Sequence, residues 1–157
     1  MTRVVLVPGV LALLPRYAGL EDPVADLRAA CLDAVSWLGS DVTVLGEPAV
    51  AAYLLASTDR VGDDASYLVI GNGSAKRTEK APGHLDERSH GFDAALGAAL
   101  RSSRHAEWPS FELGRGLLAS LDGIDRLREL LPPAYEATVD YADDPFGVQY
   151  WVMRWEW

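Results

Sequence analysis

The chain has 157 residues, of which 49% are hydrophobic, and it carries 14 basic against 23 acidic side chains, a formal net charge of −9. This length fits one domain, large enough to bury roughly two thirds of the surface that the unfolded chain exposes. The acidic balance repels phosphate backbones and anionic lipid, so neither nucleic acid nor a membrane is an expected partner.

The amino-terminal apolar run, residues 4–14, is interrupted by Pro8-Gly9 and preceded by one basic residue, Arg3. It predicts a first β-strand followed by a loop rather than a secretory leader. No apolar run approaches the ~20 residues that a membrane span needs. The single cysteine, Cys31, falls on the apolar face of a predicted helix and is interpreted as a core residue. These features favour a cytoplasmic location.

The first half of the chain predicts alternating helices and strands. Asp22 and Pro23 are typical of a helix start, and apolar residues then recur at helical spacing until Gly39. Residues 41–45 predict a short strand, residues 48–56 an alanine-rich helix, and residues 67–70 a strand that is apolar on both faces. Apolarity on both faces is typical of a central strand that helices cover on each side.

After a glycine-rich segment, a further amphipathic helix is predicted to begin between residues 86 and 89, with Phe92, Leu96 and Leu100 on its buried face. Residues 110–131 predict two helical pieces, because Asp122-Gly123 interrupts the apolar pattern.

The last part of the chain changes to a period of two. The apolar members of the first run are Tyr135, Ala137, Val139 and Tyr141, and residues 148–157 form a second extended run after the turn at residues 143–147. This pattern predicts an antiparallel hairpin. Its last strand carries an aromatic stripe on one side, Trp151, Met153, Trp155 and Trp157, which is typical of a core or of a dimer contact and only rarely of a ligand cage. A homo-oligomer through this C-terminal strand is therefore one possible assembly.

Together the elements predict a single three-layer α/β domain over residues 1–157. A mostly parallel central sheet would have helices on both faces and the hairpin at its carboxyl terminus. In such folds the ligand pocket lies beyond the carboxyl ends of the strands.

The segment after the strand at residues 67–70 is the main candidate for a binding site. Its glycines permit close backbone approach, and successive free N–H groups would form a concave anion site next to a local cluster of positive charge. The candidate ligand-binding residues are Gly71, Asn72, Gly73, Ser74, Lys76, Arg77 and Lys80. They suggest a carboxylate, a phenolate or a small phosphate as ligand; the alternative is a tight turn with a solvated basic loop. The motif is neither a Walker A loop nor a dinucleotide fingerprint.

A second group of candidates follows within the next helical turns. Asp86 and His90, at i and i+4, could share a metal ion, and His84 could pair with a carboxylate as acid and base. The simpler interpretation is a helix start that Asp86 caps, and we favour it over a metal site. Asp144, in the hairpin turn, could approach the same pocket from the other side. Ser74 as a nucleophile lacks an identifiable base.

Two motifs carry a resemblance to a known family. The run Gly-Asn-Gly-Ser-Ala-Lys-Arg-Thr-Glu-Lys-Ala-Pro-Gly-His-Leu-Asp-Glu-Arg at residues 71–88, followed by Phe92-Asp93, resembles the signature of the bacterial class III extradiol ring-cleavage dioxygenases, in their catalytic chain. The ending Asp-Asp-Pro-Phe-Gly-Val at residues 143–148, with Trp155, is similar to that group's C-terminal hairpin. The resemblance implies an α/β sheet flanked by helices with a pocket at the glycine-rich segment.

The departures from this family concern its chemistry. Ring-cleaving members hold iron(II) with two histidines and a glutamate and use a further histidine as acid and base. The stretch that corresponds to their first ligand here ends in Pro8-Gly9, the position of the acid-base histidine holds Ala75, and no histidine precedes His84. Glu112 and Glu129 do not match the glutamate ligand, and the segment between residues 45 and 66 is shorter than in the family.

The resemblance and its departures lead to three expectations. The first, which we favour, is a protein without a cofactor that binds a small anionic or aromatic molecule and does not cleave rings. The second is a ring-cleaving dioxygenase in which relocated ligands from His84, Asp86 and His90 hold iron(II), or a metal-independent enzyme. The third is a structural or interaction subunit.

Overall fold

The centre of the fold is β1 (Thr2–Val7), which pairs in parallel with β3 (Ala65–Ile70) and antiparallel with β5 (Tyr150–Glu156). β2 (Val42–Leu45) extends the sheet beyond β3 and β4 (Thr138–Asp143) extends it beyond β5, which gives the order β2-β3-β1-β5-β4. The computed structural model describes residues 1–14, 19 and 22–157. An α/β domain with parallel core strands and a C-terminal antiparallel hairpin is confirmed. The described sheet is mixed, however, with two parallel and two antiparallel pairings, and not mostly parallel.

Two helices cover one face of the sheet. α1 (Ala25–Ser36) buries the positions that the helical spacing predicts, among them Leu27, Cys31 and Val35. α2 (Pro48–Ala56) has the predicted bounds, and its first turn is capped by the Glu47 carboxylate, which accepts a hydrogen bond from the Ala49 N–H at 2.9 Å. Short 3-10 turns lie at Leu11–Leu13 and Ser103–His105.

Three helices cover the other face: α3 (Arg88–Arg101), α4 (Phe111–Gly116) and α5 (Asp122–Leu130). Their apolar side chains form a second core with one side of β5. Trp151, Met153 and Trp155 are at most 2% exposed, so the aromatic stripe belongs to this core. No described helix is long and apolar enough to cross a membrane.

Cys31 is fully buried, as expected of a core residue. Burial raises the pKa of its thiol to about 12, against a smaller opposing effect of Arg28. A thiol of this kind stays protonated and unreactive at neutral pH.

The start of α1 differs from the prediction. Val24 occupies the cap position without a side-chain cap, while the Asp22 carboxylate accepts from the Val24 N–H at 3.3 Å and forms an ion pair with Arg28. Asp22 therefore organises the turn before the helix and does not cap it.

The break in residues 110–131 also lies elsewhere. The first piece ends at Gly116, Leu118 takes a left-handed conformation with φ +59°, and Asp122 and Gly123 begin the second helix. Asp122 favours a helix start because its carboxylate lies in the first turn, near the positive end of the helix dipole.

The first strand of the hairpin does not keep one face throughout. Asp140 is an extra residue in the pairing of β4 with β5, because Val139 pairs with Met153 and Tyr141 with Val152. This bulge rotates the strand. Tyr141 consequently packs against the core of α1 and α2 and not on the side of Tyr135, which the simple alternation predicted.

The sheet brings several segments to one edge. The carboxyl ends of β1 and β3 are in register at Val7 and Ile70, and the hairpin turn joins β4 to β5 at the same edge, where Asp143 pairs with Tyr150. The glycine-rich segment leaves β3 here, next to the hairpin turn.

Candidate functional site

The glycine loop, residues 71–77, runs between two other connections. On one side Asn72 and Ser120 exchange two backbone hydrogen bonds of 3.1 Å. On the other side the Gly73 N–H donates to the Gln149 carbonyl at 2.9 Å, and the Gln149 N–H donates to the Ser74 carbonyl at 3.0 Å. The loop is therefore held on both sides, like a short inner strand.

The expectation of free N–H groups in this loop is wrong. The Gly71 N–H donates to Val7, the Ala75 N–H to Leu117 and the Arg77 N–H to Gly147, in each case to the backbone carbonyl at 2.9–3.1 Å. Gly71, Gly73, Ser74 and Ala75 are buried, and the segment that packs against each side consumes the donors that were expected to cradle an anion.

The loop is fixed to α3 by the buried carboxylate of Asp93, whose side chain is 2% exposed. Its oxygens accept from the Ser74 N–H at 2.8 Å, from the Ser74 hydroxyl at 2.6 Å and from Arg77 Nη1 at 2.8 Å. Because Ser74 is fully buried and donates its hydroxyl to this carboxylate, it holds the structure together and does not face a ligand.

Gly73 is required by this arrangement. A Cβ atom at this position would lie 2.5 Å from Asp93 Oδ1 and 2.8 Å from Gln149 Cβ. The close approach that the sequence suggested for a ligand is made instead by a side chain of the same protein.

Arg77 joins the loop to the hairpin turn as well as to α3. Its Nε donates to Asp144 Oδ2 at 2.7 Å, while Nη1 holds Asp93. Desolvation lowers the pKa of Arg77, but the hydrogen bonds to Asp144 and Asp93 outweigh it and the pKa is raised. The guanidinium is therefore a permanent cation between two carboxylates. Of the acidic candidates, Asp144 is the one that meets the loop.

The remaining loop candidates lie nearer the surface. Asn72 donates its side-chain amide to the neighbouring Gly73 carbonyl at 3.1 Å, and the Lys76 side chain lies across Gly83. Lys80 is exposed. Lys80 and Arg77 are thus the cations of this set that line open space.

The second group of candidates does not converge. The Asp86 carboxylate accepts from the Arg88 backbone N–H at 3.0 Å and pairs with the Arg88 side chain at 2.8 Å, and these bonds lower the pKa of Asp86 to about 2. His90 Nε2 lies 3.3 Å from the Arg77 carbonyl. His84 is exposed with φ +60°, and no hydrogen bond joins it to another described side chain. Asp86 thus fits the favoured interpretation of a helix cap.

The donor set that iron(II) needs is also not assembled. Within residues 1–14, 19 and 22–157, no three His, Cys, Asp or Glu side chains lie close enough together to hold a metal ion. His84, Asp86 and His90 in particular do not form such a group. The described residues therefore do not fit the iron centre of the ring-cleaving enzymes.

Two cavities flank the Arg77–Asp144 pair. The larger, which we call the groove, has a volume of about 710 Å³ and lies between residues 78–82 of the loop continuation and residues 144–147 of the hairpin turn. The smaller, the α3 cleft, has a volume of about 210 Å³. Its lining comprises His90, Asp93, Ala94, Gly97 and Arg101 of α3 and, opposite them, Arg77, Ala142, Gln149 and Trp151.

No model of a known protein family, no curated protein and no solved structure matches this chain. The functional interpretation therefore rests on the geometry of these two cavities and on the residues that line them.

Sequence reasoning missed Asp93 as the centre of the network and Arg101 and Trp151 as parts of a cavity. A signal was present for Asp93. It lies four residues after Ser89 and three before Leu96, on the stripe of α3 that was predicted to be buried, and all three are buried. A carboxylate on a buried stripe needs a partner, and Arg77 in the neighbouring loop supplies it.

Proposed function

We propose that this chain is a diverged relative of the class III extradiol dioxygenases that does not cleave rings. In this proposal it binds a small anionic or aromatic molecule beside the glycine loop, in the groove. The observation that carries the proposal is the groove itself, whose volume of about 710 Å³ falls in the range of small-molecule sites and whose lining combines apolar rings with Lys80.

The groove suits an aromatic acid. Pro82, Pro145 and Phe146 supply apolar surface from both walls, and Lys80 supplies a cation for a carboxylate or a phenolate. The Phe146 ring is held edge-on against Tyr150, with 6.5 Å between the ring centroids. A ring that is already fixed loses little entropy when a ligand packs on it.

The two walls of the groove meet at its base. The Gly147 N–H closes the hairpin turn on the Asp144 carbonyl at 3.0 Å, with φ +72° at Gly147. A Cβ atom on Gly147 would lie 2.6 Å from the Thr78 hydroxyl and 2.7 Å from Ala81 Cβ. This contact fixes the distance between the walls, so the groove is formed before a ligand arrives.

The signature at residues 71–88 supports membership of the family, and the residues at its chemical positions argue against its reaction. Gly9 and Ala75 offer no imidazole to a metal or a substrate, and Ala75 is 8% exposed within a hydrogen-bonded segment. Relocated ligands are not favoured either, because Asp86 is already paired with Arg88.

The aromatic stripe does not support a structural subunit that docks through its last strand. β5 lies between β1 and β4, so both of its backbone edges are paired, and its tryptophans Trp151 and Trp155 are in the core. A homo-oligomer built on this hairpin would have to use β4, the edge strand, in place of β5.

Binding in the groove can be tested with benzoate and its neutral analogue benzamide, followed by amide shifts in two-dimensional NMR. Benzoate is expected to shift the Lys80 and Gly147 resonances in a saturable way. It should bind about three- to fivefold more tightly than benzamide, because an exposed charge pair contributes up to about 1 kcal/mol. Lys80→Gln should remove this preference, and Phe146→Ala should weaken both ligands.

The control for that titration is Arg104→Gln, which removes a positive charge from an exposed residue outside the groove. It should leave both affinities as they are. Saturable binding that ignores Lys80 and Phe146, or no shift at the groove with either compound, would contradict the proposal.

A separate measurement addresses ring cleavage. The protein purified without chelator and then incubated anaerobically with iron(II) is expected to hold no stoichiometric iron, because no suitable donor group is assembled in the described residues. Elemental analysis after gel filtration measures this directly. Stoichiometric iron that is lost in His84→Ala or His90→Ala would revive the ring-cleaving alternative, and catechols should then be assayed as substrates.

A further inference from the structure

The α3 cleft contains a buried hydrogen-bond donor that the fold leaves without an acceptor. Trp151 is 2% exposed, and it lines the cleft beside Gly97, where a Cβ atom would lie 3.3 Å from the indole ring and 3.7 Å from its nitrogen. The core neighbour Trp155 donates its indole N–H to the Leu100 carbonyl at 3.1 Å. No hydrogen bond joins the Trp151 N–H to any described residue.

This donor remains accessible from the cleft. Arg60 Nε is the one fully buried side-chain nitrogen or oxygen without a partner in the part of the chain that the structure describes. The Trp151 nitrogen also has no partner but is not sealed in this way, so the cleft exposes it. A mostly buried indole N–H normally has an acceptor, and here a molecule in the cleft can provide one.

Arg101 stands over the same place. It follows Gly97 by four residues on α3 and lines the cleft, so both lie on one face of the helix one turn apart. Side chains of a helix lean towards its amino terminus, which directs Arg101 back over Gly97. Its guanidinium forms no ion pair or hydrogen bond with another residue that the structure describes. Two donors, one of them charged, thus address the space above Gly97.

The other polar groups of the cleft leave it attractive to an anion. The Asp93 carboxylate is already covered by three donors, one of them the Arg77 guanidinium. The Gln149 amide nitrogen donates to the Tyr150 carbonyl at 3.2 Å, and His90 Nε2 faces the Arg77 carbonyl.

We infer that the α3 cleft binds a small organic acid, whose carboxylate accepts hydrogen bonds from the Trp151 indole N–H and the Arg101 guanidinium. A guanidinium matches the planar carboxylate with two parallel N–H donors. Ala94 and the Gly97 backbone form an apolar floor, which favours a ligand with a hydrocarbon part over an inorganic ion. The volume of about 210 Å³ is below the range of drug-sized ligands, so the acid is short.

This site is separate from the groove, because the Arg77–Asp144 ion pair lies between the two cavities and each cavity receives one member of the pair. Occupation of the cleft can therefore be measured independently of the groove.

The test is a titration of the full chain with butyrate, with its neutral analogue butyramide and with inorganic phosphate, followed at the Trp151 indole N–H resonance. Butyrate is expected to shift this resonance in a saturable way, to bind more tightly than butyramide and phosphate, and to leave the Lys80 amide of the groove unchanged. Arg101→Gln should weaken butyrate about tenfold, the value of a lost charge-assisted hydrogen bond. Trp151→Phe keeps a ring and removes the donor, and it should weaken butyrate about fivefold.

Arg104→Gln is the matched control, since Arg104 is an exposed arginine three residues further on that does not line the cleft. It should bind butyrate like the unchanged protein. The inference is overturned if the Trp151 resonance does not move, if butyrate binds Arg101→Gln as tightly as the unchanged protein, or if phosphate binds as tightly as butyrate. Because Arg101 is exposed, its replacement tests the inference even if Trp151→Phe does not fold.

Discussion

Replacing Asp93 with asparagine is expected to lower the free energy of unfolding by about 3 kcal/mol, the usual cost of removing one partner from a buried ion pair. The carboxylate accepts three hydrogen bonds, from the Ser74 N–H and hydroxyl and from Arg77 Nη1. An amide offers one oxygen in place of two and presents an NH₂ group to donors. Ser74 can turn its hydroxyl to accept, but the guanidinium cannot accept at all.

Urea unfolding at neutral pH measures this effect, and Asp144→Asn is the matched control. Asp144 pairs with the same guanidinium at 2.7 Å, but its side chain is 33% exposed. Water can replace the lost bond there, so a loss of about 1 kcal/mol or less is expected. Equal losses in the two variants would show that Asp93 is not the anchor of the loop.

Replacing Gly123 with alanine is expected to destabilise the protein by about 3 kcal/mol, at the upper end of overpacking costs. A Cβ atom there would overlap the Ile70 carbonyl oxygen and lie 2.7 Å from the Leu45 carbonyl oxygen. Both obstacles are backbone atoms at the ends of β3 and β2, so no side chain can move aside to make room. The first turn of α5 would have to leave the edge of the sheet.

Gly91→Ala provides the opposite expectation from the same chemical change. Gly91 is exposed in α3, and nothing lies within 4 Å of a Cβ atom built on it. Its replacement should stabilise the protein by about 0.5–1 kcal/mol, because alanine loses less backbone entropy in a helix. Thermal and urea unfolding of the two variants check the pair, and a Gly123→Ala protein as stable as the unchanged one would contradict the packing of α5 against the sheet.

Both changes act on the wall that the two proposed sites share. Asp93 holds Arg77 in place, and Arg77 separates the groove from the α3 cleft. The stability measurements therefore precede the ligand titrations, because a binding defect in the unchanged cleft is interpretable only when this wall is intact.

The sequence by itself determined the elements and their order. The bounds of α2 are those predicted, the strands at residues 41–45 and 67–70 are present, and the hairpin and its buried tryptophans follow from a period of two. These features depend on residues a few positions apart, where spacing, proline and glycine act directly on the backbone. The segment after β3 was likewise marked as the place where loop, helix and hairpin meet.

Only the tertiary structure decided what the residues of that segment do. The Gly73 N–H is taken by Gln149, 76 residues away, and the Asn72 N–H by Ser120, 48 residues away. Whether a backbone donor is free depends on which distant segment packs against it, and local spacing carries no information about that partner. The same holds for the cleft, because Arg101 and Trp151 lie 50 residues apart and meet only when α3 packs on β5.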